Sequence, residues 1–135
     1  MIYLTMIVAI SSACLTYFLS LHLEKGPTLA SAIVTLSSGL LLPYFFTEGT
    51  TLALVATAAS YAAMVSGAKF PKLIEMAGVG AICGLVFSLT QDVFIGVGGR
   101  LGSIAAISGL SWLGLKQIID KFKKQNQVTI DVLQK

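Results

Sequence analysis

Apolar runs of membrane-spanning length, separated by short polar interruptions, fill the chain from its first residues to about residue 119. A helix needs about 20 mainly apolar residues, within a range of about 17 to 25, to cross the hydrocarbon core of a bilayer. Residues 2–21 meet that requirement, and His22, Glu24, Lys25, Gly26 and Pro27 close the run with charge and helix breakers. The second run, 28–46, has Thr28 as its candidate N-cap. It ends in Pro43, Tyr44, Phe45 and Phe46, an aromatic cluster suited to the membrane–water interface. Thr47, Glu48 and Gly49 read as a turn. The third run, 50–66, is short and rich in Ala, Ser and Thr; a loop over 67–72 leads to the fourth, 73–90, which contains Gly78, Gly80 and Gly84 and stops at Gln91 and Asp92.

The last run, 93–119, is too long for one simple span and is irregular at its start. Gly96, Gly98, Gly99 and Gly102 surround Arg100, and four glycines within seven residues weaken a regular helix by about 1 kcal/mol each relative to alanine. A broken or re-entrant stretch is therefore expected near 95–101, followed by a clean span over 101–119. Irregular backbone at membrane depth is tolerated only where protein or a water-filled cavity covers it. From Lys116 onward the pattern turns polar: Asp120, Lys121, Lys123 and Lys124 carry a helix into water. The weak alternation over 128–133 reads as an extended or disordered end. The expected fold is an all-α membrane protein, a bundle of about five transmembrane helices (1–119) with a polar tail (120–135).

Charge changes this picture by giving it a direction. With five spans, one side of the membrane collects His22, Glu24, Lys25, Lys69, Lys72, Lys116, Lys121, Lys123 and Lys124, and the other collects Glu48, Asp92 and Arg100. The positive-inside rule places the lysine side in the cytoplasm, with the N-terminus outside, and a prokaryotic inner membrane is the expected setting. An even number of spans would put the basic first loop and the basic tail on opposite sides.

Composition supports membrane residence. Hydrophobic residues make up 56% of the 135 and charged residues 11%, against about 25% charged in a soluble domain, so the surface that is not polar must face lipid. The net charge of +3 does not point to nucleic acid, because the basic residues sit at span ends and in the tail. Cys14 and Cys83 lie inside apolar runs with no metal spacing around them and read as small buried hydrophobes. His22, the only histidine, has no second ligand beside it. No nucleophile, base and oxyanion donors assemble from one histidine and six acids, so neither an enzyme nor a cofactor is expected.

The candidate chemistry concentrates at Arg100. A charge at bilayer depth costs about 2.5 to 3.5 kcal/mol and usually has a partner or a task. Gly98 and Gly99 let an anion approach backbone amides closely, and a helix starting beside them adds a favourable dipole. The alternatives are that Arg100 reaches the outer headgroups or pairs with Asp92. Asp92 and Glu48 are candidate carboxylates for a cation or a proton, or else solvated loop charges. Glu75 either pairs with Lys72 or faces inward. Tyr61 places a hydroxyl in mid-span three. The small residues Ser37, Ser38 and Gly39, Thr57 to Ala63, and the Gly80–Gly84 pair read as helix-packing faces, within one chain or between copies. Two functions follow. The first is a small homo-oligomeric transporter or channel for a solute or ion. The second is a non-transporting accessory or scaffold subunit of a larger membrane complex, with the bilayer and a membrane protein as its partners.

Overall fold

The computed structural model of the chain describes residues 2–23, 26–66, 69, 72–93 and 95–133, and side chains up to residue 127. The loop residues Glu24, Lys25, Gly67, Ala68, Phe70 and Pro71 lie outside the described residues. Five helices, and no strand among the described residues, carry the fold: α1 (Ile2–His22), α2 (Pro27–Phe45), α3 (Gly49–Ser66), α4 (Leu73–Thr90) and α5 (Arg100–Leu133). Each of α1 to α4 is long and apolar enough to cross a membrane. α5 falls outside that group, because serines, glycines, Lys116 and Gln117 dilute its apolar part.

The first four helices start and stop within one residue of the boundaries read from the apolar pattern. α2 departs in one detail. Its first residue is Pro27, with Gly26 at the cap in a left-handed conformation (φ 92°) and no side-chain cap, so Thr28 is not the N-cap. Proline is well suited to a first helical position, where its missing N–H would be unsatisfied in any case. At the other end of α2, Gly49 is held against the carbonyl of Leu42 and the Cα of Pro43, where a Cβ would not fit. α5 departs more: the helix continues without interruption through the polar segment to Leu133, where an extended or disordered end was expected. Charges on successive turns do not end a helix as a proline or a glycine does.

α3 is the central element and packs against all four other helices. Ala56, Ala58, Ala59, Ala62 and Ala63 are buried in it, small enough to let four neighbours approach at once. The Gly80–Gly84 pair of α4 does the same against α1: Cβ atoms there would lie 2.9 Å from the Ala9 carbonyl oxygen and 3.0 Å from the Met6 Cα. These small faces are thus spent on packing within the chain. α2 packs at the periphery on α1 and α3, burying Ala30, Ser31 and Val34. Ser37 and Gly39 are exposed and Ser38 bonds back to its own helix, so the packing face of α2 lies one turn earlier than the serine–glycine run.

α5 lies antiparallel to α4. Arg100 reaches Thr90 at the end of α4, Trp112 lies over Gly78, and Lys116 reaches Glu75 in the first turn of α4. The stretch of α5 from Arg100 to Lys116 therefore runs back along almost the whole of α4, about 24 Å for sixteen steps of 1.5 Å.

Candidate functional site

Arg100 is the first residue of α5, and the chain reaches it through turns over 95–99. Gly96 (φ 79°) and Gly99 (φ 86°) adopt left-handed conformations that only glycine enters without strain. The guanidinium folds back onto α4. Its Nη2 donates to the carbonyl oxygen of Thr90 at 2.7 Å, and its Cζ lies 5.2 Å from the centroid of the Phe87 ring. The Thr90 carbonyl lies at the C-terminal end of α4, where it also accepts from the Val93 N–H at 3.0 Å and where the dipole is negative, so the arginine caps α4 electrostatically. Nε is buried and has no hydrogen-bond partner among the described residues.

Two clefts open beside this arginine. One, of about 560 Å³, is lined by Leu54 and Tyr61 of α3 and by Gly98, Gly99, Arg100 and Gly102. An added Cβ at Gly98, Gly99 or Gly102 would meet nothing within 4 Å, so these glycines border open space rather than a packed neighbour. The other cleft, of about 260 Å³, lies on the Thr90, Val93 and Ser103 side. Among the described residues, Arg100 is the one charged residue lining either cleft.

Of the residues singled out in the sequence, the structure brings Arg100, Gly98, Gly99 and Tyr61 to one cleft. Asp92 and Glu48 are exposed in the turns at the same end of the bundle and line neither cleft. Asp92 is not the partner of Arg100, which uses a backbone carbonyl and an aromatic face instead. His22 stacks on Phe18 (centroids 4.2 Å apart), with Nδ1 3.0 Å from the Phe18 carbonyl oxygen. Among the described residues no three His, Cys, Asp or Glu side chains come together as a metal site.

Three arrangements were not visible along the chain. Glu75 pairs with Lys116 at 2.7 Å, across the α4–α5 interface, rather than with Lys72. Trp112 lies against Gly78, whose missing side chain makes room for the ring. Ser60 of α3 is a hub: it lies 3.1 Å from the hydroxyl oxygens of both Ser31 and Thr35 of α2 and donates to the Thr57 carbonyl at 2.8 Å. The i, i+4 spacing of Ser31 and Thr35 was the available signal, since it puts both hydroxyls on one face of α2. Comparison with protein-family models, with curated proteins and with solved structures gives no match.

Proposed function

We propose that the chain is a small membrane transporter or channel whose solute is an anion received at Arg100, and that it acts as a homo-oligomer in a prokaryotic inner membrane. The observation that carries this reading is the cleft of about 560 Å³ whose sole lining charge among the described residues is Arg100. Beside the Nη2 bond to Thr90, the guanidinium has a buried Nε without a partner among the described residues, and no carboxylate among the described residues lines its cleft. A positive charge with no counter-ion among the described lining residues, next to glycine-bordered space and Tyr61, is matched by a negative ligand. Solute sites in many transporters likewise combine irregular backbone with a helix N-terminus, whose dipole favours anions. Five helices enclose at most a thin pathway, which is the reason for expecting several copies. On this reading the Arg100 end faces outward and the lysine-rich end faces the cytoplasm.

The test is flux through proteoliposomes. Wild type is expected to pass one or more of a panel of halide, phosphate and small carboxylate ions, Arg100→Lys to pass less, and Arg100→Gln to fall at least tenfold. Phe87→Leu keeps the charge and removes the ring face, and is expected to retain most of the flux. Background flux of every anion in wild type, or equal flux in wild type and Arg100→Gln, overturns the proposal.

A second reading, the accessory subunit, is favoured by α5 itself. Beyond the ion pair at Lys116 the helix runs on to Leu133, and the side chains from Gln117 to Gln127 are exposed. A helix that leaves the bundle in this way offers a partner a docking rod. Purification in mild detergent with and without 121–135 tests it: a stoichiometric membrane partner that is lost with the tail supports it, and no such partner removes it.

A further inference from the structure

At the end of the bundle opposite Arg100, α4 and α5 border a groove of about 310 Å³. Three of its lining residues are cationic, Lys72, Lys116 and Lys123, against two acids, Glu75 and Asp120. Glu75 is engaged by Lys116, which leaves Lys72 and Lys123 against Asp120, all three exposed, so the lining keeps a net positive charge. The apolar side of the groove is Leu115 and Ile119, both exposed, as are Leu110 and Ile118 of the same helix. Trp112 also lines the groove, its ring seated on Gly78. Two lining residues carry buried polar atoms with no partner among the described residues: the donor Nε1 of Trp112 and the acceptor Oε2 of Glu75.

We propose that this groove is a binding site for the headgroup of an anionic phospholipid. The phosphodiester would sit between the Lys72 and Lys123 ammonium groups near the indole N–H, with the acyl chains running along Leu115 and Ile119. Each part has a physical reason. Basic grooves between membrane helices suit anionic headgroups, and tryptophan is favoured where one edge of a residue is apolar and the other wet. A neighbouring apolar wall distinguishes a lipid from a free anion, which would gain nothing from it. A headgroup bearing hydroxyls also offers a donor to the spare oxygen of Glu75. The proposal does not depend on what Arg100 binds, nor on which end of the molecule faces the cytoplasm.

Trp112 is the chain's one tryptophan, so its fluorescence reports on this groove alone. The protein is reconstituted in vesicles of unbrominated phosphatidylcholine with increasing fractions of brominated phosphatidylglycerol or, separately, brominated phosphatidylcholine. Brominated phosphatidylglycerol is expected to half-quench Trp112 at a mole fraction at least fivefold lower than brominated phosphatidylcholine, about fivefold for each lysine that meets the phosphate. In Lys72→Gln/Lys123→Gln the preference is expected to vanish. Both side chains are exposed, so the fold should persist, and an unchanged helical circular dichroism spectrum checks that. Equal quenching by the two lipids in wild type overturns the proposal, as does a preference that survives in the double variant. Inorganic phosphate is added in a third arm. Loss of the phosphatidylglycerol preference at millimolar phosphate would reassign the groove to a free anion and also overturn it.

Discussion

At the scale of single residues, two contacts between α4 and α5 decide how the last helix is held. Gly78 is the floor on which Trp112 rests, and a Cβ there would occupy the position of the ring. Gly78→Val is therefore expected to displace the indole. Overpacking of a formed interface costs about 1 to 3 kcal/mol. The expected result is a lower thermal midpoint in detergent together with a shift in the emission maximum of the single tryptophan. An unchanged spectrum would mean that the ring does not rest on Gly78. The Glu75–Lys116 pair is the second contact, with side chains 15% and 35% exposed. Breaking a fully buried pair costs about 3 to 5 kcal/mol, but here solvent reaches the lysine and screens it. Glu75→Ala is accordingly expected to cost about 1 to 2 kcal/mol, and a double-mutant cycle with Lys116→Ala to give a coupling of about 1 kcal/mol. No measurable coupling in that cycle would reduce the ion pair to a surface contact. Neither contact is legible in the sequence. Glu75 and Lys116 are 41 positions apart, and the local partner available to Glu75 along the chain was Lys72, one helical turn away.

At the scale of elements, period and length made the helices legible, while the faces on which they pack were only partly so. The Ala-rich stretch of α3 reads correctly as an interface because small residues recur over most of its surface, with Leu54, Tyr61 and Val65 on the side left exposed. α2 was harder. Its Ser37, Ser38 and Gly39 resemble a packing motif, yet the buried face is Ala30, Ser31 and Val34. In lipid the usual hydrophobic contrast between inward and outward faces is missing, so an apolar helix does not announce its interior side. This difference is testable with two glycines. Gly84→Leu inserts a side chain where the Met6 Cα would lie 3.0 Å from the new Cβ, and is expected to cost about 1 to 3 kcal/mol or more. Gly39→Leu meets nothing within 4 Å and is expected to cost nothing, and to gain up to about 1 kcal/mol of helix propensity. Comparable losses in thermal midpoint for the two would contradict the assignment of faces. Ser60→Ala belongs to the same scale. It removes the hydroxyl shared by Ser31 and Thr35, and interhelical hydrogen bonds in membranes average about 0.6 kcal/mol, so a loss of about 1 kcal/mol is expected, read as easier separation of α2 from the bundle.

At the scale of the whole molecule, the number of membrane crossings depends on α5. By length and composition, four helices qualify as spans and α5 does not. Its geometry argues for a fifth crossing. α5 turns back at Arg100, follows α4 from Thr90 down to Glu75, and reaches Lys116 about 24 Å later. If α4 crosses the bilayer, that part of α5 covers nearly the same depth, with Ile107 and Leu110 exposed toward lipid. The lysine distribution points the same way, since five crossings put Lys69, Lys72 and the basic part of α5 on one side. Cysteine labelling measures this directly. With Cys14 and Cys83 replaced by alanine, Gln91→Cys and Gln127→Cys flank the segment, one before it and one beyond it, and both native side chains are exposed. A membrane-impermeant maleimide added to intact cells is expected to modify residue 91, and to reach residue 127 only after permeabilisation. The reverse pattern would keep five crossings and invert the molecule, placing the Arg100 cleft in the cytoplasm. Labelling of both from the same side would confine α5 to one surface. The Arg100 cleft and the lysine groove, sixteen residues apart on α5, would then share one interface instead of facing opposite compartments, and an anion received at Arg100 would have no path along that helix.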